Sequence, residues 1–216
     1  DTPSGKLHAV DDVSFVIEKG NTLGVVGESG CGKSTLGKTL IRMEDATDGE
    51  VFFDGTEITG MTIKAYKPMR MRMQMVFQDP YSSLDPRMSV SSLIAEPIKT
   101  YGLAKSKKEL DSMVFELMDT VGLARRLAGV YPPELDGGRR QRIGIARALS
   151  LNPEFIVGDE PVSALDGSIQ AAILALPLDL KLDTGLTYIF ITPDMSVVKR
   201  ILDAVFYKHL PLLTSI

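Results

Sequence analysis

Short apolar runs separated by glycine-rich turns open this chain, give way to a long stretch of helical spacing, and then return. Val13-Ser14-Phe15-Val16-Ile17 and Thr22-Leu23-Gly24-Val25-Val26 predict strands, and a glycine-rich turn and a helix from about Lys33 follow the second. Glu50-Val51-Phe52-Phe53-Asp54-Gly55 predicts a further strand closed by an Asp-Gly turn. Met73 to Phe77 is a short apolar strand ending in Gln78-Asp79-Pro80. Between Tyr81 and Leu149 no strand pattern occurs; Leu110, Met113, Val114, Leu117, Met118 and Val121 share one helical face. Phe155-Ile156-Val157-Gly158-Asp159 and Leu186-Thr187-Tyr188-Ile189-Phe190-Ile191 are nearly continuous apolar runs, which suit strands of a parallel sheet covered on both faces. Ala204-Val205-Phe206-Tyr207 predicts a last strand, and Pro177 falls inside a predicted helix from Ser168 to Lys181, where it forces a kink or costs roughly 3 kcal/mol. Strands and helices alternating around an all-helical insert predict an α/β fold.

Size and charge narrow the picture. The 216 residues suit one domain, residues 1–216, with a core at about 1–80 and 150–216 and a helical subdomain at about 81–149. A net charge of −4 gives no basic footprint, so no nucleic-acid partner is expected. The one cysteine, Cys31, fits a reducing compartment. No apolar run approaches the roughly 18 residues of a spanning helix, and Asp1 to Gly5 lacks the pattern of a signal peptide. A soluble, cytosolic chain that reaches a membrane through a partner is expected.

Gly27-Glu28-Ser29-Gly30-Cys31-Gly32-Lys33-Ser34-Thr35 matches G-x-x-x-x-G-K-[ST] at every fixed position, after a strand and before a helix. Glycines let the backbone curl so that successive N–H groups point inward at a positive helix end, an anion cradle. Lys33 is placed for the β- and γ-phosphates of ATP, and the Ser34 hydroxyl for Mg²⁺. Cys31 occupies a variable slot, explained by packing rather than redox chemistry. Asp159 and Glu160 close an apolar strand, where such a protein places carboxylates: Asp159 to help hold Mg²⁺ through bound water, Glu160 to take a proton from, or orient, the attacking water.

Three further segments resemble the ABC ATPases. Gln78 is similar to their Q-loop residue, Leu135-Asp136-Gly137-Gly138-Arg139 and the helical run to Leu149 to their signature, and Ser163-Ala164-Leu165-Asp166 to their D-loop. The phrases Val76 to Pro86 and Asp159 to Asp166 most resemble the branch of dipeptide, oligopeptide and nickel importers. The resemblance implies a P-loop NTPase with a mostly parallel core sheet flanked by helices, a small antiparallel β part and the inserted helical subdomain. It implies a head-to-tail pair with a second ABC ATPase subunit, each ATP lying between one subunit's phosphate loop and the other's signature. Asp136, Gly137 and Gly138 would then face the partner's ATP, Gln78 would contact the γ-phosphate and Mg²⁺ and link them to the helical subdomain, and Asp166 would communicate between sites. Transmembrane permease subunits, an external solute-binding protein reached indirectly, and a place on the cytoplasmic face of the membrane are implied as well.

The chain departs from that family at three motif positions. Asp136 stands where serine is usual, and a carboxylate facing a γ-phosphate is repelled: two unit charges 4 Å apart interact by about 4 kcal/mol at an effective dielectric near 20. Arg139 stands where glutamine is usual. Pro193 occupies the slot of the usual switch histidine and brings neither an imidazole nor a backbone N–H, and neither His8 nor His209 lies in the right segment to replace it. The ends are short against the family pattern, lacking a first strand with an adenine-stacking aromatic and a C-terminal extension. A transporter motor subunit is the first expectation. A soluble ABC-type ATPase of DNA repair or translation lacks support, because no long coiled-coil insertion or basic linker occurs. A degenerate subunit that binds ATP but needs a partner for turnover is the alternative. The intact loop beside an altered γ-phosphate sensor predicts that ATP binds and is hydrolysed slowly. Pro193→His and Asp136→Ser together are expected to raise turnover in a steady-state phosphate-release assay; wild-type turnover matching an active transporter domain would refute slow hydrolysis.

Overall fold

The apolar runs without alternation do become strands buried on both faces. The computed structural model describes residues 9–162, 185–194 and, as backbone, 204–207. Strands β1 (Thr22–Val26), β4 (Met73–Val76), β5 (Phe155–Asp159), β6 (Thr187–Thr192) and β7 (Ala204–Tyr207) form one sheet in the order β4-β5-β6-β1-β7. All its pairings are parallel. Successive side chains alternate between two clusters: Phe155, Val157, Ile189 and Ile191 join Leu23, Val25 and Leu36 on one face, while Ile156, Tyr188 and Phe190 join the helical region on the other. Each fully buried aliphatic or aromatic side chain contributes about 1.5–3 kcal/mol, so this double-sided burial dominates the core. The register sets Val26 opposite Thr192 and Asp159 opposite Ile191. The C-terminal ends of β1, β5 and β6 therefore finish level, and their loops leave from one edge.

Helix α1 (Lys33–Leu40) lies on the first face, and Gly37 lets it approach closely: a Cβ there would sit 2.8 Å from Ile191 Cδ1 and 2.9 Å from Val157 Cγ1. Helix α2 (Ile63–Arg72) follows a hairpin of β2 (Phe52–Phe53) and β3 (Thr56–Glu57). Asp54 and Gly55, at φ 52° and 72°, make the left-handed turn that matches strand twist in two-residue hairpins. Arg72 ties this hairpin to the sheet, with Nε 2.6 Å from Glu154 Oε1, Nη2 2.8 Å from Asp54 Oδ2 and its guanidinium 4.7 Å from the centre of the Phe53 ring. The same guanidinium holds the Glu154 carboxyl below the usual range.

From Pro80 to Leu149 every element is helical: α3 (Pro80–Ser83), α4 (Val90–Thr100), α5 (Lys107–Thr120), two short 3₁₀ turns, and α6 (Gly137–Leu149). Asp79, Ser89, Ser106 and Asp136 cap them, each accepting a backbone N–H in the first turn. The predicted face of α5 is the packed one: Val114, Met118 and the following Val121 are buried, with Leu110, Met113 and Leu117 against them.

Two expectations need correction. Val13 to Ile17 is part of neither sheet. Its alternation is real, since Val13, Phe15 and Ile17 pack on the sheet cluster while Val16 is 90% exposed, but one apolar face does not create a ladder. The strand from Glu50 is reduced to Phe52–Phe53 and pairs with an unforeseen β3. Helix α2 gave no periodic signal because it buries Tyr66 alone and carries Pro68. Met73 to Phe77 and Leu186 to Ile191 are strands with their ends moved by one residue. The expected helix around Pro177 lies outside the described residues.

Gly37→Ala is expected to cost about 1–3 kcal/mol by overpacking. Both opposing atoms belong to fully buried side chains of the sheet. A scanning-calorimetry Tm lowered by about 2–10 °C would agree; an unchanged Tm would refute the close approach.

Candidate functional site

The loop after β1 is built around a buried lysine. Val26 and Gly27 are buried, the chain emerges at Glu28, Ser29 and Gly30, and it turns back in through a half-buried Cys31. Gly30 and Gly32 take φ 81° and 88°, a conformation that side chains disfavour, and a Cβ on Gly32 would collide with the carbonyl oxygen of Ala9. Gly32 caps α1 without a side-chain hydrogen bond, and no acidic residue stands in the first turn, so this positive helix end carries no carboxylate of its own. Lys33 is 4% exposed. Its Nζ donates to the carbonyls of Gly27 at 2.9 Å and Glu28 at 2.7 Å, and lies 3.9 Å from Cys31 Sγ. Those partners satisfy its hydrogens but bring no opposite charge, and a buried cation among neutral dipoles draws an anion. Thr35 continues the first turn of α1, half-buried.

The carboxylates expected beside this loop are there. Ser34 Oγ donates to Asp159 Oδ1 at 2.8 Å, across 125 residues of sequence. Asp159 is buried at the end of β5. Glu160 takes φ 45°, a left-handed conformation that costs a non-glycine residue about 1–3 kcal/mol. Its N–H donates to the Ile191 carbonyl at 2.9 Å, which fixes the turn to β6. Gln78 Nε2 donates to Glu160 Oε2 at 2.8 Å. Among the described residues no group of three or more His, Cys, Asp or Glu could hold a metal unaided. A hydroxyl and one carboxylate instead fit Mg²⁺, a hard cation that completes its shell with water and phosphate oxygens.

Asp136, Gly137 and Gly138 belong elsewhere, at the start of α6, which packs chiefly on α3, α4, α5 and β4. Asp136 Oδ1 accepts the Arg139 N–H at 2.8 Å, and Oδ2 lies 3.4 Å from Arg139 Nη1. The carboxylate thus caps α6 and sits beside the guanidinium of the same helix turn. Gly138 is buried and Gly137 half-buried. Pro193 is exposed immediately after β6, on the edge shared by Gly27 and Glu160, where Thr192 Oγ1 accepts the Asp194 N–H at 3.1 Å. Ser163 to Asp166, His8 and His209 lie outside the described residues.

Sequence reasoning passed over Tyr81, Arg140 and Gln141, whose contacts reach across about sixty residues and leave no local trace. That the last two fall inside the signature run was their one signal.

Comparison with known proteins agrees with this geometry. The profile of the family described as ABC transporter matches residues 10–163. The oligopeptide transport ATP-binding protein OppF of Bacillus subtilis is 55% identical over 205 residues, covering 94% of this chain and 67% of the relative. AppF of the same organism is 51% identical over 207 residues, covering 95% and 63%. OppF of Escherichia coli is 49% identical over 208 residues, covering 96% and 62%. The chain therefore spans about two thirds of the length of these relatives. Among solved structures, the dimeric ATP-binding cassette MJ0796 bound to ADP and Pi superposes with a TM-score of 0.84 at 30% identity, covering 92% of this chain and 85% of its own. CbiO1 of Clostridium perfringens, part of the ABC transporter complex cbiONQ, superposes with a TM-score of 0.81 at 26% identity, covering 92% and 77%.

Lys33→Ala is expected to weaken Mg²⁺-dependent ATP binding at least tenfold, about 1.4 kcal/mol or more, by isothermal titration calorimetry. Equal affinity in the variant, or none in the wild type, would remove the phosphate cradle from the account.

Proposed function

We propose, since the chain belongs to the ABC transporter family, that it is the ATP-hydrolysing motor subunit of an importer for peptides or a related small solute. The observation that carries this is the meeting at one sheet edge of a buried cation, Lys33, with the pairs Ser34–Asp159 and Gln78–Glu160. The peptide cargo is supported by the OppF and AppF relatives, named oligopeptide transport ATP-binding proteins.

In this reading the amides of Gly27 to Thr35 and the Lys33 ammonium hold the phosphates of ATP. Ser34, Asp159 and Gln78 would hold Mg²⁺, which when bound neutralises charge on the phosphate oxygens. Glu160 accepts the proton of the attacking water, and its backbone bond to Ile191 together with the Gln78 amide fixes the carboxylate before substrate arrives. Asp136, Gly137 and Gly138 meet the nucleotide of a second, head-to-tail cassette; the dimeric MJ0796 structures support such a pair. Pro193, which offers no donor beside the chain's own phosphate site, supports slow hydrolysis.

No helix among the described residues is long and apolar enough to cross a membrane. In this proposal permease subunits hold the chain at the cytoplasmic face, and an external solute-binding protein acts indirectly. A cavity of about 510 Å³ lies beside β4, lined by Met43, Met75, Phe77, Tyr101, Gln141 and Leu151.

Glu160→Gln keeps the shape of the side chain and removes the proton acceptor. It is expected to lower ATP hydrolysis about 10²–10⁴-fold with ATP affinity unchanged within about twofold. Unaltered turnover in a phosphate-release assay would take the base role away from Glu160.

A further inference from the structure

Gln78 sits in a loop whose two flanks are fastened by side chains of α6. Gln141, 2% exposed, donates from Nε2 to the Phe77 carbonyl at 3.3 Å. Arg147 donates from Nη1 to the Ser83 carbonyl at 3.1 Å and reaches Glu96 with Nη2 at 3.1 Å. Between them, Tyr81 lays its ring over the Arg140 guanidinium, 3.7 Å from Cζ to the ring centre. Arg140 is 5% exposed and donates Nε to the Pro132 carbonyl at 2.6 Å and Nη2 to that of Pro133 at 3.3 Å. Its Nη1 is buried with no hydrogen-bond partner among the described residues. A buried guanidinium with one edge unpaired gains from a π-face, so the Tyr81 ring is held on the helix by electrostatics as well as contact. Asp79 caps α3 by accepting the Tyr81 N–H at 2.8 Å, which leaves little slack between residue 78 and the ring.

We infer that Gln141, with Arg140 acting through Tyr81, are positioning residues that hold Gln78 on Glu160, so that placement of α6 sets the hydrolytic pair. This rests on the proposed roles of Gln78 and Glu160 and goes beyond them. The same helix begins with Asp136 to Gly138, the residues that would meet the partner's nucleotide. A shift of α6 driven from that end is therefore transmitted to this chain's own Gln78 through Gln141 and the Arg140–Tyr81 contact. None of the three touches nucleotide; they act by fixing the loop.

The test combines hydrogen exchange with a double-mutant cycle in the full chain with its co-purifying subunits. Gln141→Met keeps side-chain length and removes the donor, and Arg140→Met keeps an unbranched apolar stem and removes the guanidinium. Tyr81→Ala removes a ring that is already 66% exposed, so it leaves the core intact should the buried variants fail to fold, and Tyr81→Phe keeps the π-face. The disrupting variants are expected to speed amide exchange in residues 77–83 at least tenfold, with residues 27–35 unchanged. Gln141→Met should lower single-turnover hydrolysis at least tenfold with the Kd for Mg·ATP within twofold of wild type, and Tyr81→Phe should match wild type. In a Gln78→Ala background Gln141→Met should add less than twofold, because its effect passes through the missing amide. Unchanged exchange, additive rate losses, or a rate loss matched by lost nucleotide affinity would each overturn the inference. If the wild type shows no hydrolysis, the motor reading fails instead, and the exchange rates alone decide the latch: local loosening supports it, no change overturns it.

Discussion

An ammonium group enclosed by its own backbone is the interaction on which the rest of the site depends. Lys33 is buried against two carbonyls of the turn that precedes it, at the start of a helix whose first amides face the same way. Every other feature of the site serves or answers that positive centre. Gly30 and Gly32 bend the chain tightly enough to enclose it, and Gly37 lets α1 sit against Val157 and Ile191, so that the enclosed charge is anchored to the sheet rather than to a loose helix. Asp159 and Glu160 lie on the neighbouring side, reached through β6. In the proposed function a polyanion and a divalent cation complete the electrostatic balance.

Strand register turns that local arrangement into a site. Because β1, β5 and β6 end level, residues separated by more than a hundred positions meet within hydrogen-bond distance. The strained turn at Glu160 is part of the same construction: its amide is bound to β6, its carboxylate to Gln78, and the conformational cost is offset by burial of the strands on both sides. The helical part shares an apolar cluster with one face of the sheet, and polar side chains of α6 add hydrogen bonds to the loop after β4.

Much of this was legible in the sequence, for physical reasons that differ from element to element. The unbroken apolar runs at Phe155 and Leu186 could satisfy nothing but a sheet covered on both faces. The glycine spacing before Lys33 could serve little but an anion cradle. Fold class was therefore readable, and Lys33, Ser34, Gln78, Asp159 and Glu160 lie at one edge of the sheet, whereas Asp136, Gly137 and Gly138 start α6. Where the reading failed, the deciding information was not local. Val13 to Ile17 has the alternation of a strand and packs like one on its apolar face, but ladder formation depends on a neighbour that no pattern within those five residues encodes. Helix α2 is held by one buried tyrosine flanked by the guanidinium groups of Arg42 and Arg70, at 5.0 and 5.6 Å from its ring, and so had no apolar stripe to betray it. At Asp136 both the charge and the neighbouring Arg139 were legible, but their contact depends on one rotamer at the helix start.

The strand order has a kinetic consequence during synthesis. β1 carries the phosphate loop near the beginning of the chain, yet both of its neighbours in the sheet, β6 and β7, come near the end. At about 5–20 residues per second, roughly ten to thirty seconds separate the emergence of Thr22–Val26 from that of Thr187–Thr192. Throughout that interval a ribbon of five residues destined for complete burial has no native hydrogen-bonding companion. The ribosome-bound chain thus carries a finished cradle sequence on an unfinished scaffold, and the late closure of so long a loop makes completion of the central sheet a slow, aggregation-exposed step of its maturation.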